Sequence, residues 1–369
     1  MNKNKLPRRR LVRRYFAERY LLLILLAFAA SVSLTRLFLE LSGYPQLGTS
    51  VLHIAHLLWG GLALFIGGLL PLVFANQRAL DISALMSGLG MGLFIDEVGK
   101  FITRTNDYFF PAAAPIVYVT FLLTLLMYVL FKPRRAPDQR TRLYHVIEMM
   151  EEVLEGDLSE QERGRMLANL DRYVAQTEDN DLNRLENLLA DYLESKEESL
   201  VLHQPDFLEK MSLWWAKMEG RIFKGRSTPV WLMLGWALWG CVSILRPLLS
   251  VYAHSIGFSL PGSWQQLITT SIDSQSGFSP LEWARIAGEI LIGIGLLLAV
   301  GLAVLKKYRT ASSIAYFGLL VMIVSLNILV FYYEQFSAIF FTFFQFLVLI
   351  ATVRYRWVYA RENSGTHPG

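Results

Sequence analysis

His53 and His56 stand three residues apart at the start of one apolar run, and Asp96, Glu97 and Lys100 close the next. Three residues is nearly one helical turn, so both imidazoles project from one helix face. Paired histidines with a carboxylate from a neighbouring helix form a zinc-ligand set. With His53, His56 and one of Asp96 and Glu97 holding the metal, the other carboxylate would activate a zinc-bound water for hydrolysis. Lys100 lies four residues after Asp96 and three after Glu97, within reach of either. Its ammonium repels a divalent ion unless one carboxylate neutralises it, and two carboxylates against one lysine leave an excess negative charge.

The same groups support two other chemistries. They line a pocket that binds or moves an anionic small molecule or lipid headgroup, or they form a structural ion-pair network in which Arg36 pairs with Glu40 and Lys100 with Asp96 or Glu97. Asp107 follows in the same charged stretch, and further along the chain Arg246, Arg285, Glu289 and Glu334 interrupt apolar segments. Arginine holds phosphate and carboxylate groups bidentately, so the second group favours an anion.

The elements that carry these residues are membrane-type helices. The chain has 369 residues, 53% hydrophobic and 18% charged, with a mean hydropathy of +0.36, too apolar for an ordinary soluble protein. The apolar residues fall in blocks near the roughly 20 residues that span a bilayer as a helix. They run from Tyr20 to Leu41, Val51 to Ala75, Leu80 to Phe101, Pro115 to Phe131, Val230 to Tyr252, Trp283 to Leu305, Ser312 to Tyr332 and Phe336 to Val353. The expected fold is thus an all-α integral membrane protein of eight spans, four on each side of a helical insert. Its segments are a basic N-terminus (1–19), a first membrane half (20–131), a cytoplasmic insert (132–226), a second membrane half (227–353) and a tail (354–369).

Lysine and arginine set the orientation, because positive loops stay cytoplasmic. Arg8, Arg9 and Arg10, Lys132 to Arg135, Lys306 to Arg309, and Arg354 to Arg361 all fall inside if both termini are inside, and Arg104 is the clear exception. The expected topology is multi-pass with both termini cytoplasmic. In that orientation Arg36, Glu40, His53, His56, Asp96, Glu97 and Lys100 share the extracytoplasmic end of the first half. Arg246, Arg285 and Glu289 share that end of the second. The pI of about 9.0 needs no nucleic acid to explain it, since the excess charge sits where anionic lipid headgroups are the natural partner. Cys241 is the single cysteine, so no intrachain disulfide forms.

A parallel duplication of the halves would pair Arg36 with Arg246, His53 with Arg285 and Asp96 with Asn327. In the insert, Leu143, Val146, Ile147, Met150, Val153 and Leu154 recur at helical spacing, Gly156 breaks the run, and Ser159 with Glu162 makes a capping box. Glu148, Glu151, Glu152 and Glu155 are expected to form a solvated face. Nothing in the insert has catalytic spacing, so regulation, assembly or a protein partner is its expected role.

The pair "HIAHLLWGG" and "GLFIDEVGKFITRTNDYFF", between Leu52 and Phe110, resembles a motif pair in uncharacterised bacterial polytopic inner-membrane proteins. That resemblance implies a bacterial plasma-membrane location and no particular activity. Intramembrane metal hydrolases of the alkaline ceramidase and progestin-receptor-like kind also gather His and Asp at one membrane face. This chain lacks their terminal-span histidine pair, and its last block offers only Gln345 as a strongly polar side chain.

Overall fold

A computed structural model describes residues 11–42, 56–105, 107, 110–132, 139–156, 158–171, 180–195, 210–211, 213–214, 217, 228–255 and 278–363. His53, the loop after Ser255 and most of the expected helix around Trp215 lie outside these residues. Among the described residues the regular structure is helical: α1 (Ala17–Ser42), α2 (His56–Val73), α3 (Gln77–Asp96), α4 (Val98–Ile102), α5 (Ala113–Phe131), α6 (Gln139–Glu155), α7 (Glu160–Asp171), α8 (Asn180–Glu194), α9 (Thr228–Ser255), α10 (Pro280–Val304), α11 (Tyr308–Val321), a π-helical turn (Met322–Leu326), α12 (Asn327–Glu334), a 3₁₀ turn (Gln335–Ser337) and α13 (Ala338–Asn363).

Among the described residues, seven helical stretches are long and apolar enough to cross a membrane. Their large side chains are often exposed, among them Leu58, Phe65, Leu72 and Leu291, as expected where hydrocarbon rather than water is the neighbour. The seventh stretch, Tyr308–Trp357, has 50 residues. As one rod it would measure about 75 Å, far beyond a bilayer core of about 30 Å. It is instead folded in two. Asn327 Nδ2 donates to Gln345 Oε1 at 2.6 Å, although 18 residues of continuous helix would separate them by about 27 Å. The reversal sits at Gln335, whose φ of 51° and ψ of −134° break the helix. The expected blocks at Ser312 and Phe336 are the two arms of this hairpin.

The chain forms two compact units. One comprises Met1–Ala29, Gly61–Met91 and Thr124–Ser212; the other comprises Ala30–Gly60, Gly92–Leu123 and Leu213–Gly369. In the first, α6, α7 and α8 bury Leu143, Val146, Met149, Met166, Leu170 and Leu193. The helix break at Gly156 (φ 76°) and the Ser159–Glu162 capping box follow the sequence pattern, with Glu162 Oε2 accepting from Ser159 N at 3.0 Å and Ser159 Oγ from Glu162 N at 3.3 Å. Ile147 and Leu154 are exposed, so the buried stripe runs through Met149 instead.

The acidic face of α6 is not simply solvated. Glu148 accepts from the Tyr15 backbone N–H at 2.8 Å and pairs with Arg14 at 3.2 Å. Glu151 accepts from the Gln77 backbone N–H, and buried His145 meets the Arg13 carbonyl at 3.1 Å. The acidic stripe therefore grips the basic N-terminal segment and the start of α3, where orphan helix-start N–H groups need acceptors.

In the second unit, α9 and α10 cross closely: a Cβ on Gly293 would lie 2.9 Å from the Gly240 carbonyl. Trp236, Trp239, Leu296, Ala299, Ala315 and Leu319 fill the core. Helix α10 starts as its sequence dictates, with Ser279 as N-cap, Pro280 in the first turn and Glu282 completing a capping box. A second cluster packs Ala114 and Tyr118 of α5 against Val330, Phe331 and Ala338 of the hairpin.

Candidate functional site

Two groups of charged side chains lie in the second unit, and the first is built on a helix break. The block expected to run unbroken to Phe101 stops at Asp96, and Glu97 (φ −91°, ψ 9°) starts the short helix α4. The break sends neighbouring carboxylates to different partners. Asp96, with no exposed surface, accepts from Arg36 Nε at 2.6 Å and lies 3.2 Å from His56 Nε2; its backbone carbonyl also accepts from Arg36 Nη2 at 3.1 Å. Glu97 accepts from Lys100 Nζ at 2.9 Å and lies 3.2 Å from His56 Nδ1.

Both nitrogens of His56 thus face carboxylate oxygens. Arg36, Lys100, Asp96 and Glu97 balance in formal charge. Each carboxylate thus has an organic cation beside it. Among the described residues, no group of three or more His, Cys, Asp and Glu side chains is placed to hold a metal ion, and His53 lies outside those residues.

Arg36 therefore pairs with Asp96 rather than with Glu40. Glu40 is exposed near the end of α1, where water already solvates it, whereas a fully buried Asp96 needs a cation. Asp107 is also exposed, and its backbone N–H donates to Thr103 Oγ1 at 2.8 Å. Neither belongs to the buried set. The Arg36 guanidinium lies 3.4 Å above the Phe336 ring at the hairpin tip, a cation–π contact that ties the set to the hairpin.

The second group centres on Arg285, whose Nη1 donates to Glu334 Oε1 at 2.8 Å and to Glu289 Oε1 at 3.2 Å. Arg246 pairs with the other oxygen of Glu334 and stacks 4.5 Å from the Phe341 ring. Two arginines and two glutamates balance. The proposed repeat partners do not share partners in space: Asp96 meets Arg36 and His56, while Asn327 meets Tyr118, Thr342 and Gln345.

A cavity opens beside Arg246, lined by Trp239, Ser243, Glu289, Thr342 and Gln345 among others. Two breaks in helix geometry border it. Pro247 lies inside α9 and has no N–H, so the carbonyl of Ser243, four residues earlier, loses its helical donor. The π-helical turn before Asn327 frees the Ile323 carbonyl, which accepts from Tyr118 Oη at 2.6 Å. Ser243 is 3% exposed, and among the described residues neither its Oγ nor Arg246 Nε has a hydrogen-bond partner.

Sequence reasoning singled out Arg246, Arg285 and Glu289 as site residues but passed over Ser243 and Thr342. Small hydroxyls in apolar blocks carry no conspicuous signal, although the "SILRP" run from Ser243 to Pro247 marks a helix whose ladder must fail there. No family model, curated protein or solved structure matches this chain.

Proposed function

We propose that the chain is a multi-pass protein of the bacterial plasma membrane, crossing eight times with both termini cytoplasmic, that binds or moves an anionic group near its extracytoplasmic face. The hairpin between Tyr308 and Trp357 supports counting its arms as two crossings. The observation that carries the anion reading is a pair of donors without a partner among the described residues, Arg246 Nε and Ser243 Oγ, on one cavity. An unmade hydrogen bond at a buried polar group costs about 1–3 kcal/mol, and an anion supplies the missing acceptor for both.

The first charged group has a different role in this reading. Its carboxylates already have cationic partners, which favours a structural network joining α1, α2, α3 and α4 over a ligand site.

Thermal stability of the purified protein tests the anion reading, because a ligand that binds only the folded state raises the melting temperature. Chloride and inorganic phosphate, each compared with gluconate at matched ionic strength, probe a free anion; nanodiscs with and without phosphatidylglycerol probe a headgroup. Stabilisation in either arm is expected. It should shrink in Ser243→Ala, although that change removes an unsatisfied hydroxyl and should leave basal stability equal or higher. No response in any arm overturns the reading.

A further inference from the structure

The cavity is small, about 20 Å³, room for about one water-sized body. A phosphate or lipid headgroup does not fit without displacing its walls, whereas a single halide-sized ion does. Arg246 in the wall is permanently charged and repels a cation. Glu289 in the same wall repels an anion while it is ionised. The two requirements are compatible in one state, with Glu289 protonated and the anion present.

Charge balance points the same way. Glu289 is faced by Arg285 on its own helix, by Glu334 on α12 through the shared Arg285, and by Arg246 on α9. From α13 the cavity receives the neutral Thr342 and Gln345, and from the π turn Met322; the Tyr333 ring lies 5.7 Å from the Arg285 guanidinium. Two arginines against two glutamates sum to zero. Protonating Glu289 leaves one uncompensated positive charge in an apolar setting, which is costly unless an anion replaces it. The 2.8 Å bond from Arg285 to Glu334 does not involve Glu289, so that pairing does not depend on the charge that is lost.

We propose that this cavity takes up one halide-sized monovalent anion together with one proton on the Glu289 carboxylate. The proton comes from the aqueous phase and adds to a carboxylate oxygen. The neutral carboxyl becomes an O–H donor, and the anion sits among Arg246 Nε–H, Ser243 Oγ–H and that group. Anion and proton then favour each other's binding by the same factor, as linkage requires. The inference rests on the anion reading above and adds the size class and the proton.

The test uses the full chain in detergent, with sodium chloride titrated against sodium gluconate at constant ionic strength and binding followed by calorimetry at about pH 5.5 and about pH 8. Chloride should bind roughly tenfold or more tightly at the lower pH. Adding chloride to weakly buffered wild-type protein should draw up to one proton per chain from solution. In Glu289→Gln, where a neutral amide stands in for the protonated carboxyl, the tight affinity should persist at both pH values and the proton uptake should vanish. Should that variant not fold, proton uptake by the wild type decides. Chloride binding equally at both pH values without proton uptake overturns this inference and leaves the anion reading standing. Absence of chloride binding at either pH also overturns it, and the phosphate and lipid arms then decide the broader reading.

Discussion

Asp96 is the residue on which the first charged group depends. It is fully buried and accepts from Arg36 and lies against His56, so removing it strands an arginine that is itself buried. Breaking one partner from a buried ion pair costs about 3–5 kcal/mol, whereas an exposed charge costs about 0.5 kcal/mol or less. Asp96→Ala should therefore lower the melting temperature of detergent-solubilised protein sharply, and Glu40→Ala should leave it nearly unchanged. Equal effects would mean that the ion pair has been misassigned. The charges themselves were conspicuous in the sequence, because ionisable residues inside apolar blocks are rare. Their pairing was not: Glu40 is one turn from Arg36 on the same helix, and only the helix break at Glu97 separates Asp96 from Lys100 and presents it to α1. Neutral groups such as Ser243 were less visible still, since nothing in their type distinguishes a cavity wall from a packed helix face.

Helix packing in this chain turns on a few glycines, and they are not interchangeable. Gly88 and Gly92 have the spacing of a close helix crossing. Helices α2 and α3 touch at Gly67, whose carbonyl accepts from Ser83 Oγ at 2.6 Å. Gly88 faces α1: a Cβ there would lie 2.5 Å from the Ile24 carbonyl and 2.7 Å from Ala27 Cβ. Backbone atoms cannot swing aside as a long side chain can, so Gly88→Ala should cost about 1–3 kcal/mol. Gly68→Ala, where nothing lies within 4 Å of the added carbon, should be close to neutral. Unfolding of both variants in mild detergent checks the contrast, and a neutral Gly88→Ala would contradict the α1 contact. The existence of these helices was readable from length and hydropathy alone. Which face of each meets which neighbour was not, because a small-residue motif says that something approaches closely without saying what.

Topology brings the elements to their clearest test, and the 50-residue stretch from Tyr308 to Trp357 decides its parity. Taken as one crossing, it gives seven and leaves the C-terminal tail outside when the N-terminus is inside. As two crossings it gives eight, with the hairpin tip outside and the tail inside. The bond between Asn327 and Gln345 brings the arms side by side, and with arginines at positions 354, 356 and 361 the positive-inside rule favours the eight-crossing count. Cys241 is exposed on α9 and is first replaced by alanine, so that each introduced cysteine reports alone. Single cysteines at Gln46, Gln275 and Gln335 should then react with a membrane-impermeant thiol reagent in intact cells. Those at Asn76, Glu178 and Ser364 should react only after the membrane is opened. Labelling of the Ser364 position in intact cells, together with protection at Gln335, would reduce the crossings to seven. That result would put the positive tail outside, against the positive-inside rule, and labelling at Gln275 and Glu178 would then decide by itself whether Arg246, Arg285 and Glu289 lie near the extracytoplasmic face.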